Sequence, residues 1–348
     1  MMATKQIMPK VELHLHLDGA MRPASLLDIA RKRGLSISTP DEVAVRKLVT
    51  VEKIGDWERI LGSFSFFMPI IAGDKDALER IAYELCEDKA KEGVVYFEAR
   101  FSPHFLADKD VPLVWGQKPG QCGAKEVVAA VSTGLRRGCE KFGIKARLIL
   151  CCIRDKPEWS MDCVRIAQEF QDKLVAGIDL AANEAVPMDQ RHIAAYQEAY
   201  KCGIHRTAHA GELGPPENVR EAIEQMKVER IGHGYAAVKD EQIYKLVQSS
   251  GVHIEVCPTS GKMTGSIDAD FTKHPAVRFN KDDLNFSLST DDPLLFNNII
   301  DDELNIGRQF FGMSEEDIHK TMLNAAKSSF LPQHDKQELL KDLQKFQM

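Results

Sequence analysis

Four short stretches of this chain carry histidines and carboxylates at spacings that could do chemistry together. The first is His14-Leu15-His16. On a strand, residues two apart share a face, so both imidazoles can point the same way. The second is Thr207-Ala208-His209-Ala210-Gly211-Glu212, which closes an apolar run. The third, Ile231-Gly232-His233-Gly234-Tyr235, sets glycine on both sides of an imidazole and lets the backbone approach a ligand closely. The fourth is Ser289-Thr290-Asp291-Asp292-Pro293. Asp-Asp pairs also stand at 282–283 and 301–302, but only this pair ends an apolar run and is stopped by proline.

Each stretch alone has a plain structural reading, since a lone histidine is usually a satisfied core residue. Together they specify more. Three imidazoles and a carboxylate, His14, His16, His209 and Asp291, form a donor set suited to one Zn²⁺ per chain, with a position left for water. Zinc can bring the pKa of that water to ~7, so hydroxide becomes available at neutral pH. Glu212 and His233 remain as proton-transfer groups beside it. No His-Glu-x-x-His, phosphate loop, Gly-x-Ser-x-Gly or Cys-x-x-Cys pattern competes with this set.

The residues lie far apart, with His209 standing 193 positions after His16. A fold that brings many strand ends to one face is therefore needed. Short apolar or β-branched runs fall at 11–17, 94–101, 146–153, 175–181, 204–208, 252–257 and 284–290, with a weaker one at 229–232. Helical patterns separate them at 74–92, 124–142, 160–173, 188–202, 216–227 and 239–249. Glycines at 93, 143, 203 and 251 suit helix C-caps leading into strands. Eight strands alternating with helices predict an α/β fold, a (β/α)₈ TIM barrel, in one domain over 1–348. An open doubly wound sheet would carry a Gly-rich first turn, where this chain has His-Leu-His-Leu-Asp-Gly.

In the long gap after the first strand, Trp57, Ile60, Leu61 and Phe64 share one helical face. That face either packs on the core or covers the barrel mouth as a lid. Extra helical segments after Asp291 include 324–327 and 338–346.

The chain has 348 residues, 45 Lys+Arg against 52 Asp+Glu, and a net charge of −7. That balance argues against nucleic acid or an anionic membrane as partner. No apolar run approaches the ~20 residues that would span a bilayer. Residues 1–10 hold no apolar stretch, so no signal peptide is read and a cytoplasmic protein is expected. The eight cysteines lack regular spacing and are expected to be reduced thiols.

The motifs resemble the adenosine deaminase family along essentially the whole chain. The resemblance is carried by Lys10 to Gly19, Arg100-Phe101-Ser102-Pro103-His104, Cys151-Cys152, His209-Ala210-Gly211-Glu212, Gly232-His233-Gly234-Tyr235, Thr290-Asp291-Asp292-Pro293 and Asn324-Ala325-Ala326-Lys327-Ser328-Ser329-Phe330. It implies a zinc-bearing barrel that converts adenosine and 2′-deoxyadenosine to the inosines, as in purine salvage, with His14, His16, His209 and Asp291 on the metal. By the same resemblance Glu212 would protonate purine N1, and His233 would act with Asp291 on the attacking hydroxide. Asp292 would meet N7, Asp18 and His16 the ribose 5′-hydroxyl, and the backbone of Ala182 purine N3. Asp18 would repel a 5′-phosphate, which favours a nucleoside over AMP. The family typically has glycine at position 182 and an acidic residue where this chain has Asn183. A surface-protein partner is not readable from the residues.

Overall fold

The computed structural model describes residues 8–171 and 174–346. The expectation for residues 1–7, and the last two residues of the helix expected over 160–173, lie outside that range. Eight strands form one parallel sheet in chain order: β1 (Lys10–His16), β2 (Val94–Phe101), β3 (Lys145–Ile153), β4 (Val175–Ala181), β5 (His205–Ala210), β6 (Arg230–His233), β7 (His253–Val256) and β8 (Phe286–Leu288). The sheet closes on itself just past β8. Asp291 accepts from the His16 N–H at 2.9 Å and donates its own N–H to the His14 carbonyl at 3.1 Å. Glu12 reinforces the seam by accepting from the Thr290 N–H at 2.9 Å. These bonds make the expected barrel.

Two boundaries moved for reasons that matter to the site. β5 runs to Ala210 rather than ending at 208, because His209 pairs with Gly232 of β6. That pairing places His209 within the ladder instead of beyond it. β8 stops at Leu288, because Ser289, Thr290 and Asp291 spend their hydrogen bonds on β7 and β1 rather than on a regular ladder.

Three helices fill the gap between β1 and β2: α1 (Pro23–Lys32), α2 (Glu42–Val49) and α3 (Trp57–Ile71). The crossover helices follow as α4 (Lys75–Lys91), α5 (Ala124–Phe142), α6 (Ser160–Phe170), α7 (Gln190–Lys201), α8 (Pro216–Glu224) and α9 (Glu241–Ser250). Gly143 and Gly251 close α5 and α9 in the left-handed conformation, each with φ of 68°. Two helices, α10 (Pro258–Thr264) and α11 (Pro275–Lys281), stand between β7 and β8. The chain then adds α12 (Pro293–Phe296), α13 (Ile300–Phe310), α14 (Glu315–Ser328) and α15 (Gln333–Lys345). Among the described residues, no helix is long and apolar enough to cross a membrane.

Helix α3 does both things its sequence allowed. Asp56 caps it by accepting from the Arg59 N–H at 3.0 Å. Trp57, Ile60, Leu61 and Phe64 then line the cavity at the barrel mouth, while Phe67, Met68, Ile70 and Ile71 are buried in the main core. Its first half is a roof and its second half an anchor.

Candidate active site

The C-terminal ends of β1, β5 and β6, with the residue pairs beyond β8, converge on the floor of a cavity of about 770 Å³. Asp291 Oδ1 lies 3.2 Å from His14 Nε2 and 3.3 Å from His16 Nε2. His16 Nε2 is in turn 3.4 Å from His209 Nε2. Four donors on ~2.1 Å bonds about one tetrahedral ion would stand about 3.4 Å apart, so these spacings fit a metal. The buried His14 Nε2 and Asp291 Oδ1 have no hydrogen-bond partner, which is what two ligand atoms facing one ion would show.

His233 joins the same group. Ligand atoms of His14, His209, His233 and Asp291 all come within 4.8 Å of one another, so five side chains compete for a four-membered set. The position of His233 sets it apart from the others. Its Nε2 is 3.9 Å from the other aspartate oxygen, Oδ2, and 3.7 Å from Glu212 Oε2. It stands between Asp291 and Glu212, whereas His16 shares Oδ1 with His14.

The backbone is held out of its usual range here. His233, Asp291 and Ala182 take positive φ of 66°, 68° and 76°. Left-handed backbone costs an L-residue roughly 1–2 kcal/mol. At Asp291 both backbone bonds to β1 hold it in place. Gly232 is required for a different reason. A Cβ there would sit 2.8 Å from His14 Cε1, so only glycine leaves room for that ring.

A layer of fully buried charge lies beneath the cluster. His14 Nδ1 donates to Glu255 Oε2 at 2.7 Å, since a carboxylate can only accept. That fixes the tautomer and turns the Nε2 lone pair toward Asp291. Asp179 Oδ2 stands 2.9 Å from His209 Nδ1, a buried carboxylate behind the second imidazole. Arg100 joins both carboxylates, donating to Asp179 at 3.0 Å and to Glu255 at 2.7 Å. Burial alone would raise Glu255 and Asp179, yet Arg100 and Arg230 hold Glu255, and His209 and Arg100 hold Asp179, below the usual carboxylate range. The second oxygen of Asp291 accepts from Ser260 Oγ at 2.6 Å.

The remaining acids are shifted the other way. Burial pushes Glu212 up to about 8, with the Asp291 carboxylate adding to it. Burial likewise takes Asp18 to about 7. Asp292 is raised well above its ordinary value, by burial first and then by Asp291. It nests against Gly19, where a Cβ would come 1.7 Å from its Oδ1. Burial, and then His14, lowers His233 well below the ordinary histidine range, so its imidazole is neutral.

Every residue singled out from sequence, His14, His16, Asp18, Ala182, His209, Glu212, His233, Asp291 and Asp292, lies in this cluster or on the cavity wall. Sequence reading missed Arg100, Asp179, Glu255 and Ser260. A signal existed for the first three, because each is a charge inside a largely apolar strand and must be paired if buried. Ser260 gave none.

A closed parallel barrel with a cluster that could hold a metal at its strand ends is a frame suited to metal-assisted hydrolysis. Relatives narrow the class. Residues 9–346 match the family model described as adenosine deaminase. The chain is 47% identical over 338 residues to the adenosine deaminase of Danio rerio, covering 96% of this chain and 94% of that one. It is 48% identical over 335 residues to the enzyme of Xenopus laevis, covering 95% and 94%. A crystal structure of an amidohydrolase from Burkholderia ambifaria with bound zinc superposes with a TM-score of 0.82 at 27% identity, covering 97% and 91%. The chain belongs to the adenosine deaminase family.

Proposed function

We propose that this chain hydrolyses the 6-amino group of adenosine and 2′-deoxyadenosine, giving inosine or 2′-deoxyinosine and ammonia, with one Zn²⁺ held by His14, His16, His209 and Asp291. The observation that carries the reading is a carboxyl group kept protonated near neutral pH, Glu212, 3.7 Å from a neutral imidazole, His233, at the metal-competent floor of the cavity. Zinc bound there would lower the pKa of water to ~7 and so make hydroxide available. The bound zinc of the Burkholderia neighbour supports that choice of metal.

The chain's residues then move protons in balance. Water oxygen adds to purine C6 while His233 accepts one of its protons and Glu212 gives its own to N1. The C6 hydroxyl next returns its proton to Glu212, and His233 gives its proton to the departing amine. The C6–N bond breaks, and ammonia leaves. Burial and then Asp291 push the Asp292 carboxyl toward its protonated form, and in that form it can donate to N7, which is only an acceptor. Asp18 and His16 are assigned to the ribose 5′-hydroxyl, and the Ala182 backbone to N3. No Lys or Arg lines the cavity among the described residues, so nothing there would hold a 5′-phosphate. As part of the same proposal this is a single-domain enzyme of nucleoside metabolism in the cytoplasm, a compartment in which the eight free thiols would stay reduced.

The test is turnover of adenosine against AMP and adenine, followed by purine absorbance, with and without a zinc chelator. Adenosine should be converted fastest and the chelator should stop it. A zinc-loaded protein that leaves adenosine unchanged would sink the reading.

A further inference from the structure

The loop after β4 carries a buried carboxylate that the reaction above does not use. Glu184 is 4% exposed. Its Oε1 accepts from the Gly211 N–H at 2.7 Å, and its Oε2 accepts from Leu213 and Gly214 N–H, each at 2.8 Å. Asn218 Nδ2 adds longer contacts, 3.4 Å to Oε1 and 3.5 Å to the Glu184 carbonyl. These three amides bracket Glu212 on both sides.

The turn that Glu184 holds is a demanding one. Gly211 takes φ of +73°, and a Cβ there would come 2.7 Å from Val219 Cγ2. Gly214 has no more room, with a Cβ 2.2 Å from Asn218 Nδ2. The Glu212 side chain itself accepts one hydrogen bond, from Thr264 Oγ1 at 3.3 Å. Its aim is therefore set mainly by its backbone, and that backbone is pinned by a carboxylate from another strand's loop. Hydrogen bonds to a charged acceptor are among the stronger ones, so three together make a rigid mount.

We propose that Glu184 is a positioning residue for Glu212, a buried anion that fixes the 211–214 turn and so the aim of the proton donor. Glu184 also joins the loop bearing Ala182 and Asn183 to the loop bearing Glu212, so the two walls of the cavity move as one. The proposal rests on the reading of Glu212 as proton donor. Charge alone does not account for the role; two acceptor oxygens are needed. In Glu184→Gln one oxygen becomes an NH₂, which would face a backbone N–H donor to donor.

The experiment compares wild type, E184Q and E184D, each alone and E184Q also combined with E212Q. It measures kcat, KM for adenosine and bound zinc. Misplacing a reacting group by about 1 Å costs on the order of 10²-fold, so E184Q should lose 10- to 100-fold in kcat. Its KM should stay within about threefold and its zinc should be retained, because the loss is confined to the reacting step. E184D keeps the charge but draws the oxygens back by one methylene. It should lose roughly 10-fold on the same grounds, and it carries the test where E184Q does not fold. In the E212Q background, E184Q should cost less than about threefold further, since the group it positions is gone.

An E184Q enzyme as fast as wild type would overturn the proposal. So would a loss traced to missing zinc, or the same factor lost in the E212Q background. A zinc-loaded wild type that leaves adenosine unchanged would instead refute the reaction itself.

Discussion

Glu255→Gln tests whether the buried charge layer holds the site. Glu255 is 0% exposed and accepts four hydrogen bonds. Arg100 and Arg230 donate at 2.7 Å each, His14 at 2.7 Å and Thr207 at 3.1 Å. Glutamine keeps one acceptor oxygen and turns the other into a donor facing an arginine. Arg100 retains Asp179 and Arg230 retains Glu98, so neither guanidinium loses every partner. Breaking a buried ion pair by removing one partner costs about 3–5 kcal/mol, and the surviving partners place this case near the lower figure. Total stability is roughly 5–15 kcal/mol, so E255Q should remain folded at 25 °C with much of its margin gone. At about 2 °C per kcal/mol for a chain this long, Tm should fall by about 6 °C. His14 would also lose the acceptor that fixes its tautomer, which should weaken metal binding about 10- to 100-fold. Calorimetry and competition with a metal indicator measure the two effects separately. A Tm within 1 °C of wild type together with unchanged metal affinity would refute the account of the layer as support for His14.

Glu212→Gln should keep its zinc and lose on the order of 10²–10⁴-fold in kcat, the usual worth of a positioned acid; near-normal turnover would remove Glu212 from that role. The pH dependence follows in sign from the raised value of about 8. The protonated form needed for donation exists below that value and is lost above it, so kcat should fall as pH rises through the folded-state value. A bound cation would draw the midpoint down without reversing the sign, and a rate that climbed with pH through 7–9 would contradict it. Gly232→Ala should weaken metal binding by at least about 10-fold, because its Cβ would stand 2.8 Å from His14 Cε1; equilibrium dialysis checks this. Ala182→Gly releases a positive φ of 76°. The relief of about 1–2 kcal/mol is partly offset by the 0.4–1 kcal/mol of extra chain entropy that glycine loses on folding. Urea midpoints should rise slightly or stay level, and a clear fall would show that the methyl group is needed.

The strands were legible because a barrel strand is a short apolar run bounded by turn residues, and β2 and β4 have the boundaries expected. Strand ends were less so. β5 extends through His209 only because β6 offers Gly232 as its partner, a fact of pairing that no local pattern carries. The reactive groups were legible for a related reason, since His209, His233 and Asp291 close apolar runs and His14 shares a strand face with His16 in the first. The support beneath them was not. Glu255 and Asp179 look like isolated charges in the chain, and become the seats of His14 and His209 only through the barrel's register.

By itself the sequence determined which residues share a strand face, which stretches between strands form the crossover helices, and which side chains can give or take a proton. These are local properties, set by backbone period and by chemistry within a few residues. The tertiary structure decided which of five candidate groups share a vertex at Asp291 Oδ1, which carboxylates stand behind the histidines, and that Glu184 grips the turn carrying Glu212. It alone could decide them. Distances between residues hundreds of positions apart exist only once the eighth strand has closed on the first.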